Sequence, residues 1–197
     1  MRRRALGPAA AALALGLVGC AVPGPDRKQP GRGHVVLLRG LANVFSTGMD
    51  RLAARLVTAG YGVELGNHLE WSDAAARLMA AERSGELQRP VAAVGHSLGA
   101  DDAIRLADAT GEAGLALDLL VTFDPVWVHD VRPGPRRVLN FYLASGAWGH
   151  ALAATPGFAG QIENVEVDAL GLTHFDIEKD ERLHAAVLTA LGQVEKA

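Results

Sequence analysis

One pentapeptide, Gly95-His96-Ser97-Leu98-Gly99, imposes a local backbone that few folds can accommodate. The apolar run Pro90-Val91-Ala92-Ala93-Val94 precedes it, and a helical pattern begins at Leu98. The chain must therefore pass from strand to helix through a very tight turn. Such a turn strains the backbone of its central residue. Glycine on either side of Ser97 lets strand and helix approach with no side chain between them. The turn lifts the Ser97 hydroxyl to the carboxyl edge of a sheet. There it stands above a helix N-terminus, whose first N–H groups lack intrahelical acceptors and favour developing negative charge.

The rest of the chain supplies the sheet. His34-Val35-Val36-Leu37-Leu38 reads as a strand buried on both faces. Met49, Leu52, Ala53, Leu56 and Val57 then recur at helical spacing, and Gly60 ends that helix. Tyr61 to Leu65 is a second strand. Ser72 or Asp73 caps a helix running to about Arg83 and closed by Gly85. Pro90 to Val94 is the third strand, and the helix after the turn runs from Leu98 to about Ala109. Leu117 to Phe123, Arg137 to Leu143 and Asn164 to Val167 are further strands. A last helix carries Leu183, Ala186, Val187, Ala190, Leu191 and Val194 on one face. Strands alternating with amphipathic helices predict βαβ units. The expected architecture is α/β, a three-layer α/β/α sandwich with a mostly parallel sheet of about six strands. Such sheets take ligands outside the carboxyl ends of their strands, where Ser97 falls.

The first residues read as an address rather than as part of the fold. Arg2, Arg3 and Arg4 form a basic start, and Ala5 to Val18 is an uncharged apolar stretch too short for a comfortable membrane span. Leu17-Val18-Gly19-Cys20 resembles a bacterial lipobox. That resemblance implies removal of residues 1–19 as a signal peptide and lipidation of Cys20. The chain would then be anchored in the bacterial cell envelope. Residues 20–33, rich in Pro, Gly and charge, read as a flexible tether, and residues 34–197 as one domain. Cys20 is the only cysteine, so no internal disulfide supports the fold. Without Arg2 to Arg4, 16 basic residues face 22 acidic ones, a formal charge of −6. That balance, and the lack of a basic stripe, argue against a nucleic-acid partner.

A serine hydroxyl attacks only when a base takes its proton, and the base needs an anion to fix its tautomer. On a turn of this type the chain order is Ser, then Asp or Glu, then His. Asp124 is the first acidic residue at a strand's carboxyl end after Ser97; Asp130 and Asp168 are the other acidic candidates. Asp101 and Asp102 are expected to point away or toward solvent, on the helix after the turn. Of the seven histidines, His129, His150 and His174 remain after sorting by position. His174 has first claim, in a loop before the last helix, with His150 second. Two backbone N–H groups must meet the developing oxyanion. Leu98 supplies one, and Leu41, with Ala42 next, is the expected source of the other. Arg39 has two readings, a contact to an anionic substrate group or a salt bridge at the sheet edge. Asn43, Phe45, His96, Trp127 and Trp148 are further candidates for contact with substrate.

Together Gly95-His96-Ser97-Leu98-Gly99, Asp124 and His174 resemble the α/β-hydrolase superfamily, in particular its small lidless serine esterases, lipases and thioesterases. The resemblance covers nearly all of His34 to Ala197. It implies a trimmed core, because the superfamily's usual first two strands are missing. The acid follows the strand next after the nucleophile, one strand earlier than in most members, a position that the thioesterase branch and some lipases tolerate. Many relatives carry His-Gly where this chain has Arg39-Gly40. The resemblance implies hydrolysis of a carboxylic ester or thioester through an acyl-enzyme, with no metal or organic cofactor. Acyl transfer by the same residues, or a non-catalytic envelope lipoprotein on this scaffold, are the alternatives.

Overall fold

The computed structural model describes residues 31–41 and 46–196. Cys20, Ala42, Asn43 and Phe45 lie outside them. The described elements run in the order β1 (His34–Arg39), α1 (Gly48–Thr58), β2 (Gly62–Asn67), α2 (Trp71–Ser84), β3 (Val91–His96), α3 (Leu98–Glu112), β4 (Leu119–Phe123), β5 (Asp130–Val131), β6 (Arg137–Tyr142), β7 (Ala153–Ala154), β8 (Gln161–Glu166) and α4 (Glu181–Val194). Six strands form one sheet in the order β2-β1-β3-β4-β6-β8, every neighbouring pair parallel. The short β5 and β7 pair separately.

Alternation along the central strands builds two cores. Val35, Leu37, Ala92, Val94, Leu119, Val121 and Phe123 face one way, against Leu52 and Leu56 of α1 and Val187 and Leu191 of α4. Val36, Leu38, Val91, Ala93 and Leu120 face the other, against Leu78 of α2 and Ile104 and Leu106 of α3. The sheet is therefore the middle of three layers, and its inner strands read as continuous apolar runs because both faces are covered. No strand precedes β1 among the described residues, which fits the expected trimmed core.

The edges depart from expectation for physical reasons. β8 begins at Gln161 rather than Asn164, because this edge strand has four exposed and two half-buried residues in no strict alternation and offers no apolar run to read. α2 begins at Trp71, with neither Ser72 nor Asp73 as cap. A single 3-10 turn at His68–Glu70 precedes it, capped by Asn67, whose Oδ1 accepts the Leu69 N–H at 2.8 Å. The Ala147–Gly160 stretch is stitched to the sheet by polar side chains. Thr122 Oγ1 donates to Asn140 Oδ1, and Asn140 Nδ2 donates to Asn164 Oδ1 and to the His150 carbonyl, each at 2.8 Å. Asn164 in turn exchanges two bonds with the Leu152 backbone.

Candidate active site

Ser97 sits between β3 and α3 with φ 58° and ψ −128°, a conformation costing about 1–3 kcal/mol outside glycine. The flanking glycines explain how the turn closes. A Cβ on Gly95 would lie 2.1 Å from the Gly99 carbonyl oxygen, and one on Gly99 would lie 2.2 Å from that of Leu38 in β1. No side chain fits at either place. The Ser97 N–H donates to the Phe123 carbonyl at 3.0 Å, which fixes the turn beside the end of β4.

Asp124 follows β4 directly, with φ 53° and its side chain fully buried. Its Oδ1 accepts the Leu143 N–H at 2.9 Å. Its Oδ2 lies 2.6 Å from His174 Nδ1. His174 Nε2 lies 2.9 Å from Ser97 Oγ. A carboxylate only accepts, so Nδ1 carries the imidazole proton and Nε2 presents its lone pair to the serine hydroxyl. The structure thus brings the three expected residues into one line of hydrogen bonds, and His174 is itself 8% exposed. The competing candidates stand elsewhere. Asp130 is exposed in β5, Asp168 accepts the Ser145 N–H, and the His150 ring packs edge-on against His129.

The surroundings answer the remaining expectations. Leu98 is the first residue of α3, so its N–H has no intrahelical acceptor. Leu41 is exposed and follows Gly40, where a Cβ would lie 3.0 Å from Ser97 Cβ. The Arg39 guanidinium makes a two-point pair with Asp50, at 2.5 and 3.1 Å, which is the salt-bridge reading of that residue. His96 is buried in packing with both ring nitrogens engaged, so it does not face the cleft. Trp148 lays its ring 4.5 Å from that of His174, and Phe175 stands 5.4 Å from the same imidazole. Trp127 is 71% exposed at the carboxyl edge.

Asp101 and Asp102 point away from Ser97, as one of the two sequence readings has it, and not toward solvent, as the other does. Both are buried. Asp101 Oδ1 accepts the N–H groups of Val126, Trp127 and Val128 at 3.0–3.1 Å, holding the loop that leaves Asp124. Asp102 meets His68 at 3.1 Å and Arg105 at 2.5 Å. Gly149 and Ser46 also belong to the site's support, and no local sequence signal marks either.

Below the His174 loop lies Glu178, fully buried, with neither carboxyl oxygen meeting a hydrogen-bond donor at good geometry. The Lys179 ammonium stands 3.6 Å away. Burial pushes this carboxyl up to about 7 from 4.5. Below 4.5 it is neutral in both folded and unfolded chains. Between 4.5 and about 7 the unfolded chain ionises while the folded one keeps its proton, so stability falls as pH rises through that window. Glu178→Gln removes the penalty and should gain roughly 3 kcal/mol over wild type at pH 8, with little difference at pH 4. Denaturant unfolding across that range checks it, and parallel curves for the two proteins would clear Glu178 of the effect.

No protein-family model matches the chain, and no curated protein matches it by sequence. Solved structures do match by shape. RedJ, a thioesterase from the prodiginine biosynthetic pathway in Streptomyces coelicolor, is 13% identical with a TM-score of 0.53, over 90% of this chain and 98% of its own. BorB, a type II thioesterase from the borrelidin biosynthetic cluster, is 14% identical with a TM-score of 0.52, over 81% and 93%. YbtT, a type II thioesterase from the yersiniabactin pathway, is 12% identical with a TM-score of 0.51, over 85% and 96%. At these identities the likeness is one of architecture, and together with the parallel sheet and its strand–turn–helix at Ser97 it gives the chain an α/β-hydrolase fold of the kind seen in these thioesterases.

Proposed function

We propose that the chain is a serine hydrolase that cleaves a carboxylic ester or thioester through an acyl-enzyme. The observation that carries this reading is the unbroken line from the Ser97 hydroxyl through His174 to the buried Asp124, at 2.9 and 2.6 Å. Ser97 Oγ attacks the acyl carbon while its proton passes to His174 Nε2. Asp124 holds the Nδ1 proton and stabilises the imidazolium that forms. The N–H groups of Leu98 and Leu41 receive the oxyanion. Collapse expels the alcohol or thiol, which takes its proton from His174 and leaves the acyl group on Ser97. Water, deprotonated by His174, then attacks the acyl carbon, releasing the acid and restoring the serine. Among acyl substrates a thioester is favoured, because RedJ, BorB and YbtT are named thioesterases.

The proposed address is the bacterial envelope, with residues 1–19 removed, Cys20 lipidated and residues 20–33 as tether. It rests on the basic start, the apolar stretch and the lone cysteine after Gly19. One experiment tests chemistry and address together. The full-length chain is produced in a bacterium, and its membrane and soluble fractions are treated with a fluorescent fluorophosphonate. Wild type should label in the membrane fraction, Ser97→Ala should not label, and Cys20→Ser should move the label to the soluble fraction. A folded wild type that takes no label would defeat the hydrolase reading. A Cys20→Ser protein still found with membranes would defeat the anchor.

A further inference from the structure

A second line of buried hydrogen bonds passes behind Ser97, and the ring of one member, His96, lies 5.1 Å from the His174 imidazole. The Gly40 N–H donates to Ser46 Oγ at 3.0 Å. Ser46 Oγ lies 2.8 Å from His96 Nδ1, and His96 Nε2 lies 2.8 Å from the backbone carbonyl of His174. Ser46 and His96 are 0% and 1% exposed, so no water competes for these bonds. Their direction is forced. A carbonyl only accepts, so His96 Nε2 carries the hydrogen. Burial holds the His96 imidazole down to about 4, so at neutral pH it has one proton and Nδ1 must accept. The Ser46 hydroxyl then has to donate to Nδ1 and to accept from Gly40.

The two ends of the line matter. One is the backbone of the residue that presents its imidazole to Ser97. The other is Gly40, packed against Ser97 Cβ and adjacent in the chain to Leu41. We propose that Ser46 and His96 are positioning residues, which hold the His174 loop and the Gly40-Leu41 end of the loop after β1 in mutual register through this one-directional chain. The proposal rests on the reading of Ser97 and His174 as the reacting pair. Neither Ser46 nor His96 reaches the cleft, so their loss should slow the chemical step without weakening substrate binding. A buried polar chain with one member removed leaves the others unsatisfied and lets both loops drift.

The test uses Ser46→Ala, His96→Leu and His96→Gln in the full-length chain, with a short-chain acyl thioester followed by thiol release and with the rate of fluorophosphonate labelling. Ser46→Ala and His96→Leu should lower kcat and the labelling rate by roughly 10- to 100-fold, with KM little changed. His96→Gln, whose amide N–H can still donate to the His174 carbonyl, should recover part of the loss. Thermal melting identifies the folded variants, and Ser46→Ala, the smallest change, decides the matter if His96→Leu does not fold. If wild type labels and folded Ser46→Ala labels at the same rate, this proposal alone is overturned. A raised KM with unchanged kcat also overturns it, since that marks a substrate contact. A wild type that takes no label overturns the hydrolase reading and this one with it.

Discussion

Ser97→Ala should fold and melt like wild type and hydrolyse an acyl thioester roughly 10⁴- to 10⁶-fold more slowly in kcat. The change removes a single oxygen. The Ser97 N–H still reaches the Phe123 carbonyl, and the Cβ still packs against Gly40. The left-handed φ of 58° strains serine and alanine alike, so the substitution neither relieves nor adds to it. His174 keeps Asp124 on its Nδ1 and loses only the partner of Nε2. What disappears is the covalent step. The proposed oxyanion donors and the oriented imidazole are left in place, so some residual hydrolysis over solution should remain. Steady-state kinetics on purified wild type and variant check the outcome, and a variant keeping most of its kcat would remove Ser97 from the chemistry.

Gly149→Ala should damage the site although Gly149 is none of the proposed reacting residues Ser97, His174 and Asp124. A Cβ there would stand 1.7 Å from Asp124 Oδ1, 2.7 Å from its carboxyl carbon and 2.9 Å from the Leu143 nitrogen. The carboxylate cannot step aside cheaply, because both oxygens are committed and the group is fully buried. Either Asp124 leaves His174 or the turn from Leu143 to Gly149 moves away. The first outcome removes the acid and should cost roughly 10² to 10⁴ in kcat. The second should cost about 1–3 kcal/mol of stability through overpacking. Measuring kcat and unfolding on the same preparation separates the two. A variant unchanged in both would mean that the backbone at Gly149 does not press on the acid.

The central strands and the turn at Ser97 were legible because each rests on local chemistry. Val35 to Leu38 are apolar without interruption because helices cover both faces of β1, and the Gly95 and Gly99 spacing reflects a contact made within five residues. Asp124 and His174 were legible from chain order. The edge was not, since β8 has solvent on one side and its six residues hardly alternate. The supports of the site were hidden for another reason. Asp101 meets its partners 25 to 27 residues away, and Ser46 meets His96 across 50. Only the assembled sheet creates those neighbours. Arg39 can be read two ways from sequence because its partner, Asp50 in the first turn of α1, comes within reach of its guanidinium only in the assembled fold.

Asp101 has a consequence for how this chain can change. Its carboxylate gathers three successive backbone N–H groups, so α3 holds the backbone of the loop over residues 126–128, with Val128 packed against the core beside it. Any residue except proline brings an N–H to that grip. Trp127 is therefore replaceable at little cost to folding, although it stands exposed at the edge where Ser97 opens. The loop is the natural place for descendants of this protein to acquire new preferences, because variation there leaves the strained turn and its partners untouched.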